Sequence, residues 1–595
     1  MQENADDLWQ KGQAHQSAGR WEEAVGCFQQ IVDADHGNGV AMAAWGRALR
    51  ALKRKREAVA VLRQACTLLT GDAALRCDLG DAWQDLGYPR EALPPYGEAR
   101  RIEPGLARAW YGAGCAHLGA GEFAAAVRCQ REAVRLAPGW SAAWHNLGSA
   151  LFKLGQADEA LDAFAEAARG PEPGLSLAMS ALIIPGSPRS GNREILAARR
   201  KWVERTMGGV QRVAAMRREG RQPGGKLRVG YVSSFFQRDN WMKPVWSLIN
   251  RHERREVEVH LFSDAPAAAI RHGYEAHPDD RFHDISALSN DAAAQEVERA
   301  ELDLLVDLNG YSAGARLPMF LRRPAPVIVA WFNLYATSGM PCFDYLIGDA
   351  EVVPVEEEVF YTEKILRVPG SYLSFEVNYP VPEVRPTAAR EGGGMVFGCL
   401  APLYKLTTQA VAAWSEILRR TPGSTLLLKN TALGTADNRE FVARWFADQG
   451  IAPERLRLEG PAEHFAFLET YGRIDVALDT FPYNGGTTTT EAIWQGVPVV
   501  TFWGDRWVSR TSASILRAGG LRRFVADGVE GYVPLAVELA TRADADGGAE
   551  LAALRAGMRA RLRASAVCDA AGFAREMEQI YRRICGRARP GDAER

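Results

Sequence analysis

DVALDTFPYNGGTTTTEAIWQGVPVVTFWG, residues 475–504, places a turn with paired glycines and four consecutive threonines between two apolar runs, DVALDTF (475–481) and GVPVVTFWG (496–504). Short continuous apolar runs read as strands buried on both faces, and the intervening TEAIWQG reads as a helix. The order is strand, turn, helix, strand. Such a turn offers unpaired N–H groups and the positive end of the helix dipole to an anion. The threonine hydroxyls add donors, so the stretch fits a phosphate cradle. The plain alternative is capping of the helix by a single threonine, with Glu491 as an acidic first-turn residue.

The same alternation extends outward. LRVGYVSS (227–234), VEVHLFS (257–263), LDLLVDLNG (302–310), PVIVAWF (326–332) and DYLIG (344–348) form one set of apolar runs. MVFGCL (395–400), STLLLKN (424–430) and RLRLEG (455–460) join the two opening runs in a second set. Strands alternating with helices predict parallel sheets covered on both faces. The Glu/Pro-rich stretch FEVNYPVPEVRPTAAREGGG (375–394) separates the sets, which predicts two Rossmann-like halves, 226–380 and 395–586, facing across a cleft. Ligands of such sheets lie beyond the carboxyl ends of the strands. ELAALRAGMRARLRASAV (550–567) predicts a helix packed on the second half with a basic outer face.

Residues 1–175 follow a different rule. Gly12, Gly46, Gly80, Gly114 and Gly148 fall 34 apart, as do Ala24, Ala58, Ala92, Ala126 and Ala160, and Gly87, Gly121 and Gly155 repeat the turn. That is the period of a tetratricopeptide helix pair, and small residues are required where the two helices cross closely. About five repeats are predicted. Stacked repeats make a long concave surface, so the array predicts a protein or peptide partner, or a homodimer contact. SLAMSALIIPG (176–186) and ILAARRKWVERTM (195–207) predict capping and linking helices within 176–225, before a loop at REGRQPGGK (218–226).

At 595 residues the chain exceeds the roughly 250–300 at which single cores stop growing, so several domains are expected. A net charge of −2 gives no general attraction to nucleic acid or a membrane surface. No apolar run of about 18 residues and no leader pattern is found, which predicts a cytoplasmic protein. The nine cysteines, Cys27, Cys66, Cys77, Cys115, Cys129, Cys342, Cys399, Cys568 and Cys585, are scattered without metal-ligand spacing, and neither a metal site nor a cofactor is expected.

Taken together, DTFPYNGGTTTTEAIWQGVPVVT, LNGYSAGARLPMFLRRPAPVIVAWFNLYATSG (308–339), LRVGYVSS and LYKL (403–406) resemble the catalytic region of the O-linked N-acetylglucosamine transferase and SPINDLY family, glycosyltransferase family 41. The resemblance covers most of 226–586 and extends to the N-terminal repeats. It implies a GT-B fold, an α-solenoid of repeats followed by two Rossmann-like α/β domains, with a nucleotide-sugar donor held between them without a metal.

It also implies roles. Lys405, beside Tyr404, matches the lysine that contacts the donor diphosphate. Gly485, Gly486, Thr487, Thr488 and Thr489 match the phosphate-binding turn, and Glu491 an acidic position that binds the ribose hydroxyls. AEHFAF (462–467), with Ala462, His464 and Phe467, matches the segment against the nucleobase. Phe467 reads either as a stacking ring or as core. Asn309, Tyr311, Thr337 and Ser338 belong to the long motif on the acceptor side. Where family members carry a histidine after YVSSDF, this chain reads YVSSFFQRDNWMKP, with Asp239 at that position. Asp239 reads as a base whose charge Lys243 holds, or as a helix cap. The expected activity is transfer of N-acetylglucosamine from UDP-GlcNAc to Ser or Thr of a polypeptide recruited by the repeats. The alternatives are a modifier of flagellin or a secreted peptide using GDP-fucose or a CMP-nonulosonic acid, and an inactive nucleotide-binding scaffold.

Overall fold

The computed structural model describes residues 4–208, 225–270, 272–312, 314–385 and 394–586. Most of the loop predicted at REGRQPGGK, and residues 386–393 of the link between the halves, lie outside the described residues. The chain divides into two compact units, one of residues 1–154, 162–171 and 435–441, the other of 155–161, 172–434 and 442–595.

Among the described residues, ten helices from Ala5–Ser17 to Ala157–Ala167 form the repeats, successive helices packing on one another. The reason for the glycine period is visible in the packing. A Cβ added to Gly12, Gly46, Gly80, Gly114 or Gly148 would lie 2.6, 2.6, 2.6, 2.4 or 2.8 Å from Phe28, Leu62, Tyr96, Gln130 or Phe164, respectively. Each large residue follows its glycine by the same interval and fills the crossing point. Gly87, Gly121 and Gly155 turn the chain at φ 93°, 75° and 81°, a region that L side chains rarely enter.

The second unit holds two sheets. The first contains β1 (Leu227–Ser233), β2 (Val257–Ser263), β3 (Arg281–Asp284), β4 (Leu304–Asp307), β5 (Val327–Ala330), β6 (Tyr345–Gly348) and β7 (Lys364–Arg367). Its order is β3-β2-β1-β4-β5-β6-β7, all parallel. The second contains β8 (Val396–Cys399), β9 (Thr425–Lys429), β10 (Leu456–Glu459), β11 (Val476–Leu478), β12 (Val499–Phe502) and β13 (Val525–Ala526). Its order is β10-β9-β8-β11-β12-β13, again parallel. These are two Rossmann-like domains. The strand order reverses between β1 and β4 and between β8 and β11, which are the points where such sheets open a crevice.

Each of the ten apolar runs contains a strand. The sequence reading lacked β3, β7 and β13, which lie at or beside sheet edges and are only partly buried. The helices Gly174–Ile183 and Asn192–Thr206 fall within the second unit. Arg199, 2% exposed, donates to the carbonyls of Ala181 (3.2 Å), Leu334 (3.2 Å) and Thr337, and lies 4.4 Å over the Tyr311 ring. The linking helix is thereby anchored to the loop after β5.

The helix Ala549–Arg563 departs from the expected solvated basic face. Arg555 is fully buried and donates to the carbonyls of Ile474 and Asp475, while Arg559 donates to those of Trp494 (2.8 Å) and Pro382 (2.7 Å). Carbonyls ahead of β11 and in the link supply the acceptors that water was expected to provide. Among the described residues no helix is long and apolar enough to cross a membrane.

Candidate functional site

Both loops at the β8/β11 switch point meet. β8 ends at Cys399 and its loop turns through Leu403–Lys405, while β11 ends at Leu478 and leads through the Gly/Thr turn into the helix Thr487–Trp494. Lys405 Nζ donates to the Asn484 carbonyl at 2.7 Å and lies 4.0 Å over the Tyr483 ring. Tyr404 sets its ring edge-on to Tyr483 at 6.1 Å. Burial lowers the Lys405 pKa to about 8, against the pull of Asp479. The ammonium is therefore held ready beside the turn, with one carbonyl and one aromatic face as its protein contacts.

Asp479 shapes that turn, a role the sequence reading missed although the residue lies within the quoted stretch. Its Oδ1 accepts the Gly485 N–H at 2.9 Å and its Oδ2 accepts the Thr501 hydroxyl at 2.8 Å. Gly485 has no room for a side chain: a Cβ there would lie 2.4 Å from Thr489 Oγ1 and 2.7 Å from Thr488 Oγ1.

The four threonines divide by role. The Thr490 N–H makes the first helical bond, to Gly486 O at 3.1 Å, which leaves the N–H groups of Thr487, Thr488 and Thr489 without an intrahelical acceptor. Thr487 and Thr488 are half-buried, and Gly486 beside them is also half-buried. The Thr489 hydroxyl, 3% exposed, is hydrogen-bonded to Ser512 Oγ at 2.8 Å, and that of Thr490 donates to Thr487 O at 2.8 Å. Thr489 was expected in the phosphate-binding turn; its hydroxyl faces the interior instead, because it lies about 100° round the helix axis from Thr488, on the packed side.

In the segment expected to lie against the base, His464 opens the helix His464–Glu469, with Ala462 exposed just before it. Phe467 is half-buried rather than core. Its ring lies nearly parallel to that of His464, centroids 6.5 Å apart, and edge-on to Tyr471 at 6.3 Å. Tyr471 donates in turn to Thr488 O at 3.0 Å, tying this segment to the turn. Burial, reinforced by Lys243, lowers the His464 pKa to about 4.

Lys243 is placed differently from expectation. It was assigned to the acceptor side as the holder of Asp239. Its Nζ instead lies 2.6 Å from Glu491 Oε1 and 3.1 Å from His464 Nε2, and 4.0 Å over the Tyr379 ring. The carboxylate that was expected to face a ribose is thus paired with a cation from the other Rossmann half. Burial pushes the Glu491 carboxyl up and the Lys243 ammonium down, and their contact draws each back. Asp239 is near enough to contribute to the charge balance of Lys243, and its Oδ1 is buried without a hydrogen-bond partner.

The remaining acceptor-side residues are occupied by their own loops. Asn309 is fully buried, with its Oδ1 accepting from Ser234 N at 3.0 Å and Ser233 Oγ at 3.2 Å. Asp307 accepts the N–H groups of Asn309 and Gly310 at 3.1 and 2.9 Å, and burial raises its pKa to about 7. Tyr311 donates to Ser338 O at 2.6 Å. Thr337 and Ser338, both buried, bind the Glu363 carboxylate, the first from Oγ1 at 2.8 Å and the second from N at 2.7 Å and from its hydroxyl. Four residues expected to face an acceptor are therefore held by protein groups. Glu363, which holds Thr337 and Ser338, escaped notice because it lies more than twenty residues away in a stretch without a motif.

The profile of glycosyl transferase family 41 matches residues 211–379 and 385–577, and a tetratricopeptide repeat profile matches 10–73 and 111–174. A mutant of the Thermobaculum terrenum O-GlcNAc transferase superposes with a TM-score of 0.73 at 31% identity, covering 86% of this chain and 97% of that one. Among curated relatives, the rice probable UDP-N-acetylglucosamine–peptide N-acetylglucosaminyltransferase SPINDLY is 33% identical over 52% of this chain and 33% of its own length. The Arabidopsis thaliana probable transferase SEC is 30% identical over 60% of this chain and 37% of its own. The matched region spans about a third of the length of these plant relatives.

Proposed function

This chain belongs to glycosyl transferase family 41, and from that premise we propose that it moves a sugar, N-acetylglucosamine from UDP-N-acetylglucosamine, onto Ser or Thr of a polypeptide recruited by the repeats. The observation that carries the reading is the meeting of Lys405 with the Gly/Thr turn at the switch point of the second sheet. As the bond from the sugar C1 to the diphosphate breaks, negative charge grows on the distal phosphate. A fixed ammonium and the N–H groups of Thr487 and Thr488 stabilise that charge most in the transition state. They supply positive charge without a metal ion. Glu491 accepts from the ribose, and His464 and Phe467 lie against the base.

Asp239 is the candidate base. It takes the proton of the acceptor hydroxyl as that oxygen attacks C1, and the new bond forms on the face away from the departing diphosphate, with inversion. Its buried, unpartnered oxygen supports this role. Parent-level sugar transfer by Asp239→Asn removes it.

The donor is tested by thermal shift with UDP, GDP, CMP and their sugar conjugates, since a ligand that binds only the folded state raises Tm. A shift with the UDP species is expected. A shift with GDP or CMP alone replaces N-acetylglucosamine by fucose or a nonulosonic acid, and no shift with any nucleotide overturns the donor site.

A further inference from the structure

Resting on the donor-site reading above, we propose that Lys243 is a positioning residue for the donor ribose: it reaches from the first Rossmann half to hold Glu491 of the second, charged and with one carboxylate oxygen left for a ribose hydroxyl. Lys243 and Glu491 are 8% and 4% exposed, and one Glu491 oxygen, Oε1, takes the ammonium at 2.6 Å. Among the described residues no group donates a hydrogen bond to Oε2, so it is the oxygen available to a ligand.

The surroundings of Lys243 account for its three protons. One faces Glu491, a second faces His464 Nε2 at 3.1 Å, and the Tyr379 ring lies 4.0 Å away under the ammonium. No donor remains for the nucleotide, so Lys243 acts through Glu491. Stability does not require this arrangement, since buried ion pairs are commonly replaced by apolar groups at no loss. Lys243 also opens the helix Lys243–Ile249, the end where the helix dipole disfavours a cation. A carboxylate buried without its cation would take up a proton. Hydroxyl recognition by a charged acceptor would then be lost.

The test is titration of UDP, 2′-deoxy-UDP and 3′-deoxy-UDP into the full chain and the variants Lys243→Met, Lys243→Arg, Glu491→Gln and Lys243→Met/Glu491→Gln. The parent should prefer UDP over one deoxy analogue by about tenfold or more, as expected for one hydrogen bond to a charged acceptor. Lys243→Met should lower that preference to about threefold or less, Lys243→Arg should retain most of it, and the double variant should match Glu491→Gln. If Lys243→Met weakens all three nucleotides alike and keeps the preference, Lys243 only joins the halves and the proposal is overturned. Should that variant not fold, Lys243→Gln takes its place: a preference lowered to about threefold or less supports the proposal, and a preference kept at the parent level overturns it. Retention of the parent preference by Glu491→Gln overturns the ribose reading itself, and the role of Lys243 with it.

Discussion

The switch points of the two Rossmann-like halves are built alike and furnished differently. At β1/β4 and in the neighbouring loop after β5, polar groups are taken up by the protein: Asn309 is tied to Ser233 and Ser234, Asp307 to two backbone N–H groups, and Thr337 and Ser338 to Glu363. At β8/β11, one carboxylate, Asp479, organises the turn from beneath, while Lys405 and the first-turn N–H groups of the helix Thr487–Trp494 remain available above it. A buried polar network without spare donors stiffens a loop. A half-buried ammonium with spare donors beside it is costly unless a ligand uses it. The contrast is what assigns the phosphates of the proposed donor to the second half, although both strand orders open a crevice.

The largest expected effect falls on Lys405. Lys405→Ala should lower kcat by about two to three orders of magnitude, the range seen when one preorganised donor is removed from a developing anion. The Tm should change little, since among the described residues the lysine meets one carbonyl and one ring face. Steady-state kinetics and a melting curve check both, and a parent-like kcat would erase the distinction between the two switch points.

Next in size is a pH effect that belongs to the same ammonium. Its pKa, lowered to about 8, leaves it charged at neutral pH and uncharged as pH rises through that value. The free-enzyme quantity kcat/KM should therefore fall above pH 8, approaching tenfold per pH unit. Lys405→Arg, which stays charged throughout, should lack this descending limb even at a lower absolute rate. A flat parent profile to pH 9.5 would mean that the ammonium does not limit the reaction.

These effects concern residues that the sequence itself displays, and the reason is local. Lys405 and the Gly/Thr turn follow apolar strands directly, and ten strands announce themselves by short apolar runs, the edge strand β10 among them. β3, RFHD, and β7, KILR, lie at sheet edges, where exposed faces allow charged residues and erase the pattern. Partners far apart in the chain leave no trace of each other. Lys243 and Glu491 are 248 positions apart, so Lys243 was read beside its sequence neighbour Asp239. Glu363 and Arg199 likewise belong to no motif, yet they hold Thr337, Ser338 and Tyr311 in the interior.

The smallest effect sharpens the comparison within one turn of helix. Thr488 and Thr489 are adjacent in a run of four identical residues, and only the packing separates them. Thr489→Val removes the hydroxyl that meets Ser512 Oγ at 2.8 Å in the interior. It should cost about 1 kcal/mol of stability, read as a lower Tm, while leaving UDP affinity unchanged. Thr488→Val removes a half-buried hydroxyl beside the open N–H groups. It should weaken UDP by about fivefold, roughly 1 kcal/mol for one hydrogen bond, with Tm unchanged in the absence of nucleotide. The two variants should therefore move opposite observables. A loss of affinity in Thr489→Val with none in Thr488→Val would reverse the face of the helix that meets the donor, because residues one position apart lie about 100° apart around its axis.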